Sequence, residues 1–569
     1  MFENDLEDLV SVEGVVHLAT TLGVFLDSQS ASGLPDRLFS TQATSSSKLT
    51  SAMEAMRRLE KREEQRVASA TPVGEEPAGA RLHVITGALM LSLFLAATET
   101  TFVTTAMPTI VAQLGGLSTF SWVFSGFMLS FTASIAVFGK LSDLFGRRRI
   151  YIVAMAIFLT GSLLCGIARD MTELIVYRIL QGIGAGGLMP LIFAIIGEVY
   201  SFEQRARVQG LFASVWGLAS ILGPVLGGFL VDGLSWRWVF LLNLPAGLLA
   251  TTVLLLVWAD TSPRGGGRID YRGAIALVGG IVSLLLALFA MERVGAWRSP
   301  STWVLVAVAA VLWITLWRVE RSADDPIVPV DLFGDRLFFA ACGQAFAAGF
   351  AVFGSLTFIP LFVQTSFGVG ATEAGAALIP LLLPWVVSSN VGSRLILRFS
   401  FRTVALWGVA FVAIGLAGLT ISGIATSRAL YIVETALVGI GMGLSSPIFL
   451  IAVQTSLPRA KLGTATSTLQ LCRSIGVAIG VTVMGAILSY RVGSGLEHAR
   501  EEPASSRSVA VPPLSAEVRA GLAAAERGVF GAAFLAALGS LAFTFVAPHR
   551  YLRGRVEDLP VATGVADQL

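Results

Sequence analysis

Runs of apolar residues alternate with short polar turns over most of this chain. Each run is about twenty residues long, enough for one α-helix to cross the roughly 30 Å hydrocarbon core of a bilayer. The pattern therefore predicts an all-α integral membrane protein with fourteen transmembrane helices. We place them near residues 84–108, 119–139, 149–168, 171–197, 208–232, 237–258, 271–291, 302–318, 338–363, 372–397, 402–423, 429–456, 464–489 and 528–547.

The basic residues predict how these helices are oriented. The turn after the second run contains Lys140 and Arg147–Arg149, whereas the preceding turn, near 115–118, contains none. Short turns rich in Lys and Arg stay on the cytoplasmic side, while long loops cross largely regardless of charge. The arginines of the long segment 492–527 therefore do not prevent its assignment to the outside. Because fourteen is an even number, both termini are predicted to lie on the cytoplasmic side. The protein itself is predicted to lie in the inner (cytoplasmic) membrane of a bacterium.

Composition narrows the class of protein further. The chain is 54% hydrophobic and only 14% charged, against about 25% charged residues in a soluble domain. Its three cysteines, Cys165, Cys342 and Cys472, lie in separate apolar runs without disulfide or zinc spacing. No phosphate-binding loop and no cluster of metal-ligand residues occurs. We therefore expect no enzymatic activity, no cofactor, no metal and no nucleic-acid partner.

The first eighty residues differ from the rest. They are polar, with a Ser-, Thr- and Ala-rich stretch at 28–48 that is predicted to be disordered and a helical pattern at 48–67. A protein partner for this extension is one hypothesis, and a natural translation start at Met53 or Met56 is another. The predicted divisions are 1–80 (extension), 82–260 and 336–550 (two six-helix bundles), 261–335 (two inserted helices) and 551–569 (cytoplasmic tail).

An internal repeat supports two bundles of the same helix order. The segment from Gly182 to Pro190 in run four matches the segment from Gly439 to Pro447 in run twelve, 257 residues later. The loop after each run also matches. Parallel repeats of this kind are one mark of secondary transporters, which bind substrate between the halves near mid-membrane.

Two opposite charges fall inside apolar runs. Glu99 lies about 16 Å from the outer end of the first run, and Arg178 about 10 Å from the outer end of the fourth. Charges at such depth are rare and usually functional. If both face one cavity, the carboxylate can bind or release a proton as its access to water and to the guanidinium changes. The alternative is a fixed ion pair between two helices. Further polar candidates for the cavity are Gln181, Asn243, Gln344, Glu434 and Arg473.

The turn after run two resembles the loop between helices two and three of the major facilitator superfamily. The matching residues are Gly139, Asp143, Gly146, Arg147 and Arg148. Other segments resemble the fourteen-helix drug:proton antiporter branch of the same superfamily. They are Glu99 to Pro108, Arg178 with Gln181 and Gly182, the antiporter motif Gly223, Pro224, Gly227 and Gly228, Trp236 to Gly247 with Asn243, and Gly463 to Gly476 with Arg473.

This resemblance implies roles for several residues. Asp143 and Arg147 would hold the cytoplasmic mouth closed, and Arg178 would couple protonation to movement. The family usually has Asp where this chain has Glu99, and Gly where it has Ala219. The first change keeps the acid, and the second leaves the direction of transport less certain.

The function predicted from these residues is a proton-coupled exporter of amphipathic, cationic or lipid-like compounds that works by alternating access. Its partners would be protons, a small amphipathic substrate and membrane lipids. The alternatives are an exporter of lipids or glycolipids with the same fold, a proton-coupled nutrient importer, and a non-transporting membrane sensor or scaffold.

Overall fold

Long α-helices make up almost all of the chain that the structure, a computed structural model, describes. The described residues are 79–549 without 117–118, 259–269, 292–298, 324, 368, 370, 424–425, 458–460 and 500–515. The predicted features of the N-terminal extension up to residue 78 and of the tail 551–569 lie outside them. The helices of the first half and its insert are α1 Gly79–Leu114, α2 Ser121–Phe145, α3 Arg147–Gly166, α4 Met171–Val199, α5 Phe202–Gly233, α6 Trp238–Val257, α7 Tyr271–Met291 and α8 Pro300–Ser322.

The second half has the same kind of elements. Its helices are α9, which consists of Arg336–Ala348, a π-helical turn at Gly349–Phe353 and Gly354–Phe367, then α10 Ile379–Leu395, α11 Phe401–Ile421, α12 Arg428–Ser456, α13 Leu462–Ala499 and α14 Ala516–Val546. A short helix, Ala371–Ala376, precedes α10. The all-α fold class predicted from the sequence is confirmed.

Polar residues in the turns fix where several helices begin. The Asp170 side chain accepts a hydrogen bond from the Glu173 amide at the start of α4. The Asp335 side chain does the same for two amides at the start of α9. These caps satisfy backbone donors that have no partner inside a helix. At the other end of α2, Gly146 has a φ of +92°, a left-handed conformation that favours glycine over any residue with a Cβ.

The two halves pack their helices in the same order. In the first half α4 contacts α2 and α3, and α1 contacts α5 and α6; in the second, α12 contacts α10 and α11, and α9 contacts α13 and α14. The repeated glycines allow these contacts. A Cβ at Gly182 would overlap the backbone of α2, and one at Gly439 would overlap the equivalent helix α10. Gly184 and Gly441 lie equally close to α3 and α11. The halves meet where α2 contacts α13 and α5 contacts α10.

The inserted helices α7 and α8 form a hairpin on one flank. Leu277, Ile281 and Leu285 of α7 belong to one buried cluster with Ala136 of α2 and Leu471 of α13. The hairpin therefore packs against both helices of one contact between the halves. The other face of α8 exposes a band of large apolar side chains that suits a lipid environment: Trp303, Val304, Val311, Ile314 and Trp317.

Twelve helices among the described residues are long and apolar enough to cross a membrane. The two remaining predicted spans correspond to α5 and α10. Both are helices, but within the described residues α5 offers only the shorter apolar stretch Val208–Ala219, and α10 has 17 residues. The count of fourteen spans therefore stays a prediction.

The predicted loop at 492–527 is shorter than the sequence indicated. Helix α13 continues to Ala499, and α14 begins at Ala516. The prediction placed the helix ends where the apolar runs end, at 489 and 528. The residues before 528 are rich in alanine and other good helix formers, so α14 begins before the apolar stretch. The extension of α13 has no such explanation, because it contains Gly493 and Gly495.

Candidate functional site

Glu99 and Arg178 meet in the interior of the first half. Arg178 Nη1 lies 2.5 Å from Glu99 Oε1, and neither side chain has any exposed surface. The two residues come from α1 and α4, so the pair joins two helices that are far apart in sequence. The depths predicted from the apolar runs, about 16 Å for Glu99 and about 10 Å for Arg178, left open whether the two side chains meet, and the structure brings them into direct contact.

Three neutral side chains complete a buried polar network around this pair. Asn243 Nδ2 of α6 donates to Glu99 Oε2 at 2.9 Å and to Ser162 Oγ of α3 at 3.1 Å. Gln181 accepts from Arg178 Nη1 at 2.7 Å and donates to the same Ser162 hydroxyl at 2.6 Å. The network thus connects α1, α3, α4 and α6. Glu99 of α1 therefore contacts Arg178 of α4 and Asn243 of α6 directly, and it is connected to Ser162 of α3 through Asn243.

The aromatic surroundings of Arg178 hold its guanidinium in place. Its Cζ lies 4.1 Å from the centre of the Phe127 ring and 5.9 Å from that of Phe240. Its Nε donates to the carbonyl oxygen of Val123 on α2 at 3.3 Å. A cation over an aromatic face is stabilised without a second carboxylate. Arg178 therefore has support that does not depend on Glu99 alone.

The network also has unused hydrogen-bonding capacity. Arg178 Nη2 and Asn243 Oδ1 are buried and have no hydrogen-bond partner among the described atoms. Because an unpaired buried donor or acceptor is costly, these two atoms favour an arrangement in which another polar group sometimes joins the network.

A second polar cluster joins the two halves at the loop between α2 and α3, which carries Asp143. We call this end of the bundle, where the α2–α3 loop lies, the Gly146 side. Asp143 of α2 accepts hydrogen bonds from the amides of Gly463 and Thr464, at 2.9 and 2.7 Å, and from Thr464 Oγ1 at 2.7 Å. Those amides belong to the start of α13, where the positive end of the helix dipole favours a carboxylate.

The arginines of the motif tie this aspartate to its own half. Arg147 Nη2 lies 3.6 Å from Asp143 Oδ1, and Arg147 Nη1 lies 2.5 Å from Glu198 Oε2 of α4. Arg148 donates to the carbonyl oxygen of Leu255 on α6. Asp143 is thereby held by two helices of the first half while it caps a helix of the second.

Other described hydrogen bonds between the halves lie on the same side. Gln454 Nε2 of α12 donates to the Phe193 carbonyl oxygen at 3.0 Å, and Arg205 Nη1 of α5 donates to the Gln454 carbonyl oxygen at 3.3 Å. Asn390 Nδ2 of α10 donates to the Gly210 carbonyl oxygen at 3.3 Å. In this conformation the halves are therefore joined on the Gly146 side.

Gly139 allows α2 and α13 to approach each other closely. A Cβ at this position would lie 2.9 Å from the Gly463 carbonyl oxygen and closer still to the Ser467 side chain. We expect Gly139→Ala to separate the helices on the Gly146 side. Hydrogen exchange at the amides of Gly463 and Thr464 measures this, because Asp143 protects both when the contact is made.

Gly87→Ala is the matched control, since a Cβ there has no heavy atom within 4 Å. Both substitutions favour helix by roughly 1 kcal/mol, so only the clash distinguishes them. Unchanged protection in Gly139→Ala would contradict the assigned contact.

The glycines of the antiporter motif lie against the helix that carries Glu99. A Cβ at Gly223 would lie 2.7 Å from Thr101 Cβ, and one at Gly227 would lie 3.3 Å from Thr105 Cβ. Gly228 is less crowded, with Thr105 Cγ2 at 4.0 Å. The proline of the motif, Pro224, lies within α5. Two of the three motif glycines thus set the distance between α5 and α1.

The remaining candidates lie in the second half and do not join this network. The Ser422 hydroxyl donates its one proton to the Glu434 carboxylate, with Oγ 2.8 and 2.9 Å from the two oxygens, so Glu434 of α12 contacts the residue that follows α11. Arg473 Nη2 donates to Ser446 Oγ at 2.8 Å. Gln344 is buried in α9, and its Nε2 has no partner among the described atoms.

Sequence reasoning missed several residues of both clusters. Ser162 is an isolated polar residue in an apolar run, and Glu198 directly follows the run 171–197. Thr464 lies in the segment from Gly463 to Gly476 that the resemblance identified, but its contact with Asp143 was not predicted. The signal for Ser162 is its neighbour Gly161, where a Cβ would lie 2.6 Å from the Gln181 Cα. A glycine–serine pair within an apolar run thus marks a close helix contact beside a polar group. No metal site is evident either: the described residues contain no group of three His, Cys, Asp or Glu that could hold an ion.

Comparisons with known proteins agree with this architecture. The Major Facilitator Superfamily model matches residues 89–481. The chain is 38% identical to the Multidrug transporter protein MdtP of Bacillus subtilis (strain 168) over 414 residues, 73% of this chain and 76% of that protein. It is 37% identical to Multidrug resistance protein 3 of the same organism over 399 residues, 70% of this chain and 78% of that one.

Solved structures share the fold at low sequence identity. The crystal structure of the human organic anion transporter MFSD10 has a TM-score of 0.56 and 15% identity, and it covers 80% of this chain and 99% of its own. The structure of the proton:xylose symporter XylE has a TM-score of 0.52 and 14% identity, with 81% and 95% covered. The family match, the extended identity to curated relatives and the shared fold together show that this chain belongs to the major facilitator superfamily, whose members are multi-pass membrane transporters.

Proposed function

We propose that this protein exports amphipathic drugs or similar lipophilic compounds across the cytoplasmic membrane in exchange for protons. The observation that carries the proposal is the fully buried Glu99–Arg178 pair, linked through Asn243 to a third helix. The names of the Bacillus subtilis relatives, a multidrug transporter and a multidrug resistance protein, support a drug as the substrate. The Gly146 side would be cytoplasmic, because its turns are rich in basic residues.

In this proposal the Asp143 cluster closes the cytoplasmic side, and Glu99, which is buried in the conformation described here, takes up an outside proton when the opposite side opens to it. Protonation removes the negative charge that Arg178 and Asn243 bind, so the contacts among α1, α4 and α6 weaken. The cytoplasmic contacts then open, substrate enters, and the proton leaves to the cytoplasm. A ligand shifts such an equilibrium only through different affinities for the two states. Proton and substrate would therefore bind in alternation.

The decisive experiment uses the full chain in proteoliposomes of known orientation. A pH gradient, acidic on the side opposite Gly146, should drive lipophilic dyes from the Gly146 side to the other, and a protonophore should abolish the flux. Neutral amphiphiles and fluorescent lipids are tested in parallel. Flux of lipid alone would favour a lipid exporter, and flux in the reverse direction would favour an importer. Substrate movement that ignores the gradient would contradict proton coupling.

A further inference from the structure

The inserted hairpin is held to α2 by a charge contact on the Gly146 side. Lys140 Nζ of α2 lies 3.5 Å from Asp325 Oδ1, just after the end of α8. Ile327, two residues later, is buried in the cluster that joins the hairpin to α2 and α13. These are the helices that Asp143 and Thr464 connect. The hairpin therefore contacts both α2 and α13, the two helices that meet in the closed contact, but it belongs to neither half.

Two carboxylates of the hairpin converge beside this contact. Asp270 and Glu320 lie against the same residue, Gly273 at the start of α7. A Cβ built there would lie 2.9 Å from Glu320 Oε1 and would overlap Asp270 Oδ2. Asp270 Oδ1 accepts a hydrogen bond from the Gly273 amide at 2.9 Å, but its Oδ2 has no partner among the described atoms.

Glu320 is the unusual member of this pair. It is only 3% exposed, and neither of its carboxylate oxygens accepts a hydrogen bond of acceptable geometry, although the amides of Ile327 and Val328 are close. A buried carboxylate without a partner is unfavourable when ionised. A second carboxylate at the same place makes full ionisation less favourable still, and one proton held by the pair relieves both costs.

The other charges around Glu320 do not neutralise it. Among the described residues, the charges that act on Glu320 are those of Asp270, which directly precedes α7, and of Lys140 on α2, and Lys140 is already paired with Asp325. Arg321, the next residue on α8, lies over the Trp317 ring instead, with 4.4 Å between its Cζ and the ring centre. Lys140 is therefore the described base that acts on Glu320, and it is shared with Asp325.

We propose that Asp270 and Glu320 form a second proton-binding site, separate from Glu99, through which the inserted hairpin regulates the closure of α2 against α13. When the pair is fully ionised, its added negative charge strengthens the hold on Lys140. When the pair binds a proton, Asp325 alone holds that lysine. Higher pH on the Gly146 side should therefore stabilise the closed contact, and lower pH should loosen it.

The test is hydrogen exchange at the Gly463 and Thr464 amides in the full chain, reconstituted in nanodiscs. Protection, corrected for the intrinsic pH dependence of exchange, should rise between pH 6 and pH 8 by about two- to fivefold, the range expected for one partly exposed ion pair. Glu320→Gln cannot ionise and should remove this rise. Glu373→Gln is the matched control, because its pair with Arg428 is exposed and lies at the opposite side.

The same measurement in a Glu99→Gln background separates the two proton sites. The proposal requires the rise to persist there and to disappear when Glu320→Gln is added. A flat wild-type profile would overturn it, as would a rise that Glu99→Gln removes and Glu320→Gln does not. Gly273→Ala is a second variant that keeps both acids. Its added methyl group would displace them, so we expect the midpoint of the rise to shift.

Discussion

Glu99→Gln should abolish proton-driven efflux while the protein still inserts into the membrane. Glutamine keeps the size of the side chain and can accept a hydrogen bond from Arg178, but it cannot ionise in the physiological pH range. The variant therefore lacks the carboxyl group that would bind the proton exchanged for substrate. The measurement is dye efflux from proteoliposomes over a range of pH, compared with vesicles that contain no protein.

The same substitution should also lower stability, for a separate reason. Removing one partner of a buried ion pair leaves the other charge uncompensated, at a cost of roughly 3–5 kcal/mol. The cation–π contact of Arg178 with Phe127 should reduce this loss. The double variant Glu99→Gln with Arg178→Gln removes both charges, so we expect it to recover thermal stability in nanodiscs without recovering efflux.

Two outcomes distinguish coupling from structure. Glu434→Gln is the control for a buried acid in the other half that binds only Ser422, and it should retain pH-dependent efflux. If Glu99→Gln also retained it, the pair would be a fixed structural contact, and the proposed exchange would have no titratable group at its centre. Loss of efflux in both variants would likewise argue against a special role for Glu99.

Asp143→Asn should favour the state that is open on the Gly146 side. The carboxylate accepts three hydrogen bonds at the start of α13, and a charged acceptor there benefits from the helix dipole. Asparagine retains one acceptor oxygen but no charge. We expect a loss of about 1–2 kcal/mol from the closed state, or roughly a five- to thirtyfold change in the equilibrium.

Hydrogen exchange at the Gly463 and Thr464 amides measures this change directly, and efflux should fall with it. Thr464→Val provides a graded comparison, because it removes only the hydroxyl donor and leaves both amides bound to Asp143. Its effect should be smaller than that of Asp143→Asn. The assignment fails if the two variants have equal effects or if Asp143→Asn leaves protection unchanged.

The sequence predicted the depth of the charged residues better than their partners. Helix rise put both Glu99 and Arg178 well inside the membrane, at depths that differ by about 6 Å, and the structure brings them into contact. Gln181 was grouped with Arg178 through the resemblance of the segment to the superfamily, and the structure shows a hydrogen bond between them. Glu434 lies in the other half and instead accepts a hydrogen bond from Ser422, in the turn that precedes its own helix. Nothing in the spacing of Glu434 or Ser422 indicated that contact.

The positions of the helices were also predicted better than some of their ends. The apolar runs located each helix to within a few residues on most boundaries, because transfer of apolar side chains into hydrocarbon is a property of the local segment. They missed the helical residues up to Ala499 and from Ala516. For the second of these, the reason is that alanine-rich polar sequence also forms helix. Whether α5 and α10 cross the membrane depends on more than helix formation.

The sequence by itself determined that this is an all-helical membrane protein of a transporter superfamily, with two related halves and an acid and a base in its interior. Hydrophobicity and repeat spacing are properties of the linear sequence, so they can be recognised without knowing which helices pack together. Only the tertiary structure decided which residues meet: Ser162 and Asn243 beside Glu99, Thr464 beside Asp143, and Glu320 beside Asp270. Position along a helix gives height in the membrane, but the neighbours of a side chain depend on the rotation of each helix and on which helices pack together.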